Sequence, residues 1–140
     1  MSYKTTIDDL NKLTKHTLME VLQIRFIELS NESLTAEMPV NQNTIQPYGF
    51  LHGGATMALA ESVGGALSLL SLEDISEMAV GVEINANHLL PVMKGKVKAC
   101  ASFLRKGKSI HVVDIRVTDS AGRLVSVCRL TNKIMKKEAL

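Results

Sequence analysis

The chain has 140 residues, of which 46% are hydrophobic and 21% charged, and its formal net charge is +2. This length suits one domain, residues 1–140, with a buried core, and the composition excludes a disordered chain. The small net charge gives no reason to expect a nucleic-acid partner. The first ten residues lack the basic and apolar regions of a signal peptide, so we expect a cytoplasmic protein. In that compartment the two cysteines, Cys100 and Cys128, are expected to be reduced core thiols.

The N-terminal third of the chain shows helical and then alternating patterns. Residues 6–22 have a rough apolar stripe, and Thr6 followed by Asp9 is typical of a capping box. Residues 23–30 and 33–39 are interpreted as the two strands of a hairpin with a turn at Asn31-Glu32, and the second strand alternates between apolar and polar residues. This part of the sequence therefore predicts a helical segment and a hairpin, followed by a loop over residues 41–52.

The next stretch, residues 53–72, is almost entirely apolar and contains one charged residue, Glu61. We interpret it as the central helix of the domain and not as a membrane span, because Glu61 and four glycines interrupt it. No membrane partner is expected. A lone carboxylate in a buried helix is costly unless something compensates it. The sequence therefore indicates a functional role for Glu61.

Helix geometry limits how this segment can be used. Gly53 and Gly54 are expected to leave backbone N–H groups bare at the positive end of the helix dipole, which suits an anion or oxyanion. His52 and Glu61 lie nine residues apart, on opposite faces and roughly 13 Å along the axis. If both are catalytic, the site must combine His52 and Gly53 of one chain with Glu61 of another, as a two-fold pair of antiparallel helices would allow.

Two adjacent glycines, Gly64 and Gly65, lie in the middle of the predicted helix. Each costs roughly 1 kcal/mol relative to alanine, so something should require the missing side chains. Close packing against the sheet or against another helix is the favoured reason. The alternative is room beside Glu61 for an acyl group or a water molecule.

Four strands are expected after the helix, over residues 78–88, 94–106, 109–119 and 124–134. Short turns at Gly107 and at residues 120–122 favour an antiparallel meander. In the first of these strands a single apolar face is predicted, ending at His88 and made by Met78, Val80, Val82, Ile84 and Ala86. The whole pattern predicts an α+β fold, with an antiparallel sheet of about six strands wrapped around one long central helix and short N-terminal helices.

This order of elements resembles the hot-dog fold. The segment QPYGFLHGGATMALAES, with the later GVEINANHL, is similar to acyl-CoA thioesterases of the phenylacetate-pathway and 4-hydroxybenzoyl-CoA type, and most to the 1,4-dihydroxy-2-naphthoyl-CoA and enterobactin proofreading groups. The resemblance extends from about Leu18 to Ile134. It implies hydrolysis of an aryl- or medium-chain acyl-CoA to free acid and CoA, without a metal or other cofactor, by a homodimer that assembles into a homotetramer.

The resemblance also implies residue roles. Glu61 would be the nucleophile or the general base, the N–H of Gly53 would polarise the thioester carbonyl, and Gln46 and His52 would hold the thioester and leaving group. CoA contacts are implied at Gly81, His88, Leu89, Leu90 and Pro91. A further segment contains three cations and a glycine turn, which suit CoA phosphates. This segment comprises Arg105, Lys106, Gly107, Lys108, Ser109 and Ile110. One departure is Gly65, since relatives often carry Ser or Thr one turn after the Glu.

Other interpretations stay open on the residues alone. The same fold could serve a non-catalytic acyl-CoA binding or sensing module, or hydration and dehydration of acyl thioesters. His52 could be a helix cap, His88 a satisfied core residue, and the basic segment a solvated hairpin tip. His111 is expected to be a sheet residue. The histidines and cysteines have no metal-ligand spacing.

Overall fold

The computed structural model describes residues 5–139 and contains one antiparallel sheet in the strand order β1-β2-β4-β5-β6-β3. The predicted α+β fold class is confirmed. Residues 1–4 and 140 of the predicted domain lie outside the described residues. The elements are α1 (Ile7–Leu13), α2 (Leu18–Val21), β1 (Arg25–Leu29), β2 (Ser33–Pro39), α3 (Gly53–Leu70), β3 (Glu77–His88), β4 (Lys96–Lys106), β5 (Ile110–Asp119), β6 (Leu124–Lys136) and a 3-10 turn, Lys137–Ala139.

The N-terminal segment forms two short helices. The predicted capping box is present, since Thr6 accepts from the N–H of Asp9 and the Asp9 carboxylate accepts from the N–H of Thr6. The first helix ends at Leu13, and His16 adopts a left-handed backbone conformation with φ 60°. Thr17 then caps the second helix. The predicted short N-terminal helices are therefore confirmed, and a turn at His16 separates them within residues 6–22.

Only three of the four later strands form the predicted meander. β4, β5 and β6 pair in succession, whereas β3 pairs with β6 at the edge of the sheet. Residues 89–95 therefore cross the end of the sheet to reach β4. This crossover is tied to its surroundings by hydrogen bonds from the N–H of Leu51 to the carbonyl of Val92 (2.8 Å) and from the N–H of Leu89 to the carbonyl of Val125 (2.8 Å).

The sheet curls around one face of α3, and the core lies between them. The buried residues of the helix are small or aliphatic; they are Ala55, Thr56, Leu59, Ala60, Val63, Gly64, Leu67 and Ser68. A side-chain carbon on Gly64 would come within 2.7 Å of Leu130, so close packing explains this glycine. A side-chain carbon on Gly65 would meet nothing within 4 Å. Across the described residues, no helix is long and apolar enough to cross a membrane.

A β-bulge in β3 changes which of its residues face the helix. The pairing with β6 shifts between Gly81 and Glu83, while β6 continues without interruption. Gly81 is paired with the buried Asn132, and after the bulge Ile84 is paired with the buried Leu130. The predicted single apolar face is therefore wrong. An extra residue in one strand reverses the alternation, so Met78 and Val80 face away from the helix and Val82 is exposed.

The two cysteines have different environments. Cys128 is buried on the helix-facing side of β6, and burial raises the pKa of its thiol to about 11. It therefore carries the thiol form at neutral pH. Cys100 is exposed on β4, so the prediction of a core position is wrong for this residue. Both thiols are free.

His111 lies on the buried face of β5, as expected of a sheet residue, with an exposed fraction of 2%. Its ring makes an edge contact with Phe103, at 5.2 Å between ring centroids. Burial, with a smaller effect from the positive charge of Lys106, lowers the pKa of His111 below its ordinary value of 6.5. The folded protein therefore keeps this imidazole neutral at a pH where the unfolded chain binds a proton.

This difference predicts a pH-dependent stability. The contribution of His111 is fully present above its unfolded pKa of 6.5 and is lost as pH falls toward the lower folded pKa. Chemical denaturation at about pH 7.5 and about pH 5.5 measures the loss in the free energy of unfolding. In a His111→Gln variant, which has no group to titrate there, we expect a smaller decrease between the two pH values. Equal decreases in the two proteins would contradict this assignment.

Candidate active site

A pocket opens at the N-terminal end of α3, between the preceding loop, the end of β3 and the crossover. Its volume is about 270 Å³. Six residues of the sequence prediction line it: Gln46, Gly53, His88, Leu89, Leu90 and Pro91. Its other lining residues, which were not predicted as site residues, are Phe50, Leu51, Thr56, Val125 and Ser126.

The loop before α3 is held in a closed turn that fixes Gln46. The N–H of Gln46 donates to the carbonyl of Phe50 (2.8 Å), and Gly49 adopts φ 90° in the turn between them. The side-chain Oε1 of Gln46 accepts from the N–H of Tyr48. Because the amide oxygen is engaged within the turn, the NH₂ group is the part of this side chain that can donate to a ligand.

His52 caps the start of α3. Its Nδ1 accepts from the N–H of Gly54 (2.8 Å), so in the neutral ring the proton lies on Nε2. The prediction that both glycines leave bare N–H groups is therefore wrong for Gly54. Among the described residues, no acceptor takes the N–H of Gly53. Gly53 is thus the single open donor of this glycine pair at the positive end of the helix dipole.

The His88 side chain lies directly against the start of this helix. A side-chain carbon on Gly53 would come within 2.7 Å of His88 Nε2, so glycine is required for the ring to approach. On its other side, His88 Nδ1 lies 2.8 Å from the Oγ of Ser126, which is fully buried. Sequence reasoning missed Ser126, because a single serine in a strand carries no signal. The register of β3 on β6 brings it opposite His88.

Glu61 lies outside this pocket, on the exposed side of α3. The predicted burial of its carboxylate is wrong for the single chain, because only one face of the helix is covered by the sheet. The carboxylate rests against β3, where a side-chain carbon on Gly81 would lie 2.6 Å from Glu61 Oε1. Gly81 therefore lies beside Glu61 and does not line the pocket at the helix start.

The basic segment from Arg105 to Ile110 forms the β4–β5 hairpin, closed by the N–H of Gly107 donating to the carbonyl of Ile110 (3.0 Å). Lys106 lines a second groove with Leu67, Leu70 and Ser71, at the C-terminal end of α3. The helix has 18 residues, so its two ends are about 27 Å apart. Within one chain, the basic hairpin and the first pocket are not brought together.

Comparison with known proteins identifies the family. Residues 48–126 match the model of the thioesterase superfamily. The chain belongs to the thioesterase superfamily. The 1,4-dihydroxy-2-naphthoyl-CoA hydrolase of Escherichia coli is 39% identical over 94% of this chain and 96% of its own length. The prediction of a thioester hydrolase is thereby confirmed at the level of the superfamily.

Solved structures agree with this assignment and with the hot-dog fold. Thioesterase HI1161 of Haemophilus influenzae superposes with a TM-score of 0.93 at 36% identity, covering 96% of this chain and 94% of its own. A glutamine-to-alanine variant of thioesterase PA1618 of Pseudomonas aeruginosa also gives 0.93, at 39% identity over 95% and 96%. The predicted hot-dog fold of this member of the superfamily is therefore confirmed.

The capping bond of His52 gives a prediction that separates stability from activity. His52→Ala removes the cap and should lower the free energy of unfolding by about 1 kcal/mol. His52→Asn provides another capping acceptor and should retain nearly wild-type stability. Chemical denaturation measures both. If the two variants are equally destabilised, the cap does not account for the contribution of His52.

The same two variants also test whether the imidazole ring of His52 contacts substrate. If the imidazole contacts substrate, His52→Asn should lower thioester hydrolysis while its stability is retained. Wild-type activity in His52→Asn would restrict this residue to capping.

Proposed function

We propose that this protein is an acyl-CoA thioesterase that acts as a homodimer. Each site would combine the pocket at the α3 N-terminus of one protomer with Glu61 of the partner subunit. Glu61 would provide the oxygen nucleophile, either directly or by activating water. The named activity of the Escherichia coli relative, a CoA hydrolase, supports CoA as the thiol half of the substrate.

The observation that carries this proposal is the open N–H of Gly53. It lies at the positive end of a long helix, in a pocket that it shares with Gln46 and His88. A thioester carbonyl oxygen gains negative charge as a nucleophile adds to its carbon, and a fixed N–H at a helix start stabilises that charge. The Gln46 amide and the His88 ring are the neighbouring polar groups for the thioester and its leaving sulfur.

The distance along α3 requires the second protomer. Gly53 and Glu61 of one chain are separated by about 12 Å of helix, so they cannot attack and polarise the same carbonyl. A two-fold axis that sets two α3 helices antiparallel would bring each carboxylate toward the other helix start and give two equal sites.

Two features of the single chain support such a pairing. The side of α3 that the sheet leaves uncovered includes small residues that permit close approach of a second helix; along this side lie Gly54, Ala58, Glu61, Gly65 and Leu69. In addition, β3 is a twelve-residue edge strand, and a long edge is suited to pairing with a second copy. The homotetramer that the resemblance implies stays a prediction.

The same arrangement gives the basic hairpin a role. Antiparallel helices would carry the C-terminal end of one α3, with Lys106 beside it, toward the helix start of the partner. Arg105, Lys106 and Lys108 could then meet the CoA phosphates. The pocket itself includes Phe50, Leu90 and Val125 among its apolar residues, which suits an aryl or medium-chain acyl group.

The carboxylate is tested by Glu61→Gln, which keeps the shape but removes the base. We expect kcat for acyl-CoA hydrolysis to fall by about a thousandfold with the dimer intact. Thiol release assayed with a panel of aryl and aliphatic acyl-CoAs measures turnover, and light scattering measures the dimer. Glu73→Gln, an exposed carboxylate beyond the same helix, is the matched control. Near wild-type turnover in Glu61→Gln would refute the assignment; binding of acyl-CoA without thiol release in the wild type would favour the sensing module instead.

The shared site is tested by mixing two inactive variants, Glu61→Gln and Gly53→Val. Valine at position 53 displaces the His88 ring, so each homodimer should be inactive. In a heterodimer, the unchanged Gly53 of one chain faces the unchanged Glu61 of the other, and one of two sites is intact. Random mixing should therefore restore about a quarter of wild-type activity. No restored activity, with heterodimers shown by mass spectrometry, would place each site within one chain.

A further inference from the structure

Asn132 is a buried amide that has no role in the proposed mechanism described above. It lies on the helix-facing side of β6 with an exposed fraction of 1%. Its Nδ2 donates to the Oγ of Ser68 (2.8 Å) and toward the carbonyl of Gly64 (3.4 Å). Because a backbone carbonyl can only accept, these contacts fix which end of the amide is the NH₂ group. The side-chain oxygen of Asn132 therefore points away from these two partners.

That oxygen has no hydrogen-bond partner among the described residues. It faces β3, where Gly81 lies directly across from Asn132 in the sheet register. A side-chain carbon on Gly81 would lie 3.7 Å from Asn132 Oδ1 and 2.6 Å from Glu61 Oε1. The carboxylate and the amide oxygen thus flank the same glycine. Gly81 has no side chain to separate them.

Two oxygen acceptors cannot hydrogen-bond to each other unless one carries a proton. Ionised Glu61 has no donor for Asn132 Oδ1, whereas protonated Glu61 has an O–H that can donate to it. Such a bond stabilises the protonated form of the acid while the bond is present. Burying an unpaired amide oxygen costs free energy. A hydrogen-bond donor that forms beside this oxygen during catalytic turnover would offset that cost.

We propose that Asn132 is a positioning residue that holds Glu61 in its protonated form during general-base hydrolysis, an inference that rests on the proposed function. Water attacks the thioester carbon as Glu61 removes one of its protons, and the carbonyl electrons move to the oxygen held by the partner's Gly53 N–H. The new Glu61 O–H donates to Asn132. When the C–S bond breaks, the proton on Glu61 passes to the CoA thiolate, which leaves the free acid, CoA and ionised Glu61.

Several titratable groups on the elements packed against α3 are already paired with one another or with the backbone. Glu37 on β2 and Lys96 on β4 pair with each other, and Glu20 on α2 bonds the N–H of His16. Glu77 and Lys136 form an ion pair, as do Asp119 and Arg123. The remaining titratable groups on the helix-facing side of the sheet are His88, Lys106, His111 and Cys128. None of these is among the groups closest to Gly81. We therefore assign a change in the pH dependence of the Asn132 variants to Glu61.

Two substitutions at this position should move the pH profile in opposite directions. Asn132→Leu removes the acceptor, so kcat should fall about tenfold with KM unchanged, and the acidic limb of kcat/KM should move to lower pH. Asn132→Asp puts a second carboxylate beside Glu61, so the acidic limb should move to higher pH. A general loosening of the fold would not produce opposite shifts.

Controls separate this inference from folding and from the proposed function. Ile115→Val removes one methyl group from the same sheet face and should leave the pH profile unchanged. If Asn132→Leu does not fold, Asn132→Asp and Ser68→Ala carry the test, since Ser68→Ala releases the amide and should give a smaller shift to lower pH. Wild-type profiles in the Asn132 variants, together with an inactive Glu61→Gln, would overturn this inference alone. An active Glu61→Gln would overturn the proposed function itself.

Discussion

The structure depends on the contact between one face of α3 and the inner side of the sheet. The helix residues in this contact are small or aliphatic, and Gly64 lets Leu130 approach closely. Because the sheet covers only one face, the other side of an apolar helix, with Glu61 on it, is left open in the single chain. The same geometry that makes the core therefore leaves one helix face and a carboxylate uncovered in the single chain, and our proposal assigns a second protomer to them.

Glycine has separate uses around this helix. At position 53 its lack of a side chain lets the His88 ring lie against the helix start, while His52 occupies the neighbouring N–H. At position 81 the Glu61 carboxylate rests where a side chain would otherwise be. At both positions the absence of a side chain lets a polar group of another element lie against the backbone. Glycine at these two positions contributes no side-chain packing to the free energy of unfolding.

Much of the fold was predictable because it follows from local periodicity. The alternation of residues in β2, β4, β5 and β6, the long apolar helix and the turn residues predicted the elements and their class, and the QPYGFLHGGATMALAES segment predicted the family. The prediction failed where a local signal was absent. The bulge after Gly81 changes the face of half a strand, and it is not visible as a change in composition.

The sequence by itself determined the central helix, its single carboxylate, the glycines at its start and the superfamily to which the chain belongs. These follow from residue types at fixed spacing along one element, where geometry is known in advance. Only the tertiary structure decided that His88 meets Ser126 and Gly53, that Gly81 lies beside Glu61, and that Asn132 turns an unpaired oxygen toward the same glycine. Those contacts depend on strand register and on the crossover between β3 and β4. Register and crossover bring together residues that are far apart in the chain, so no local sequence pattern indicates the contacts.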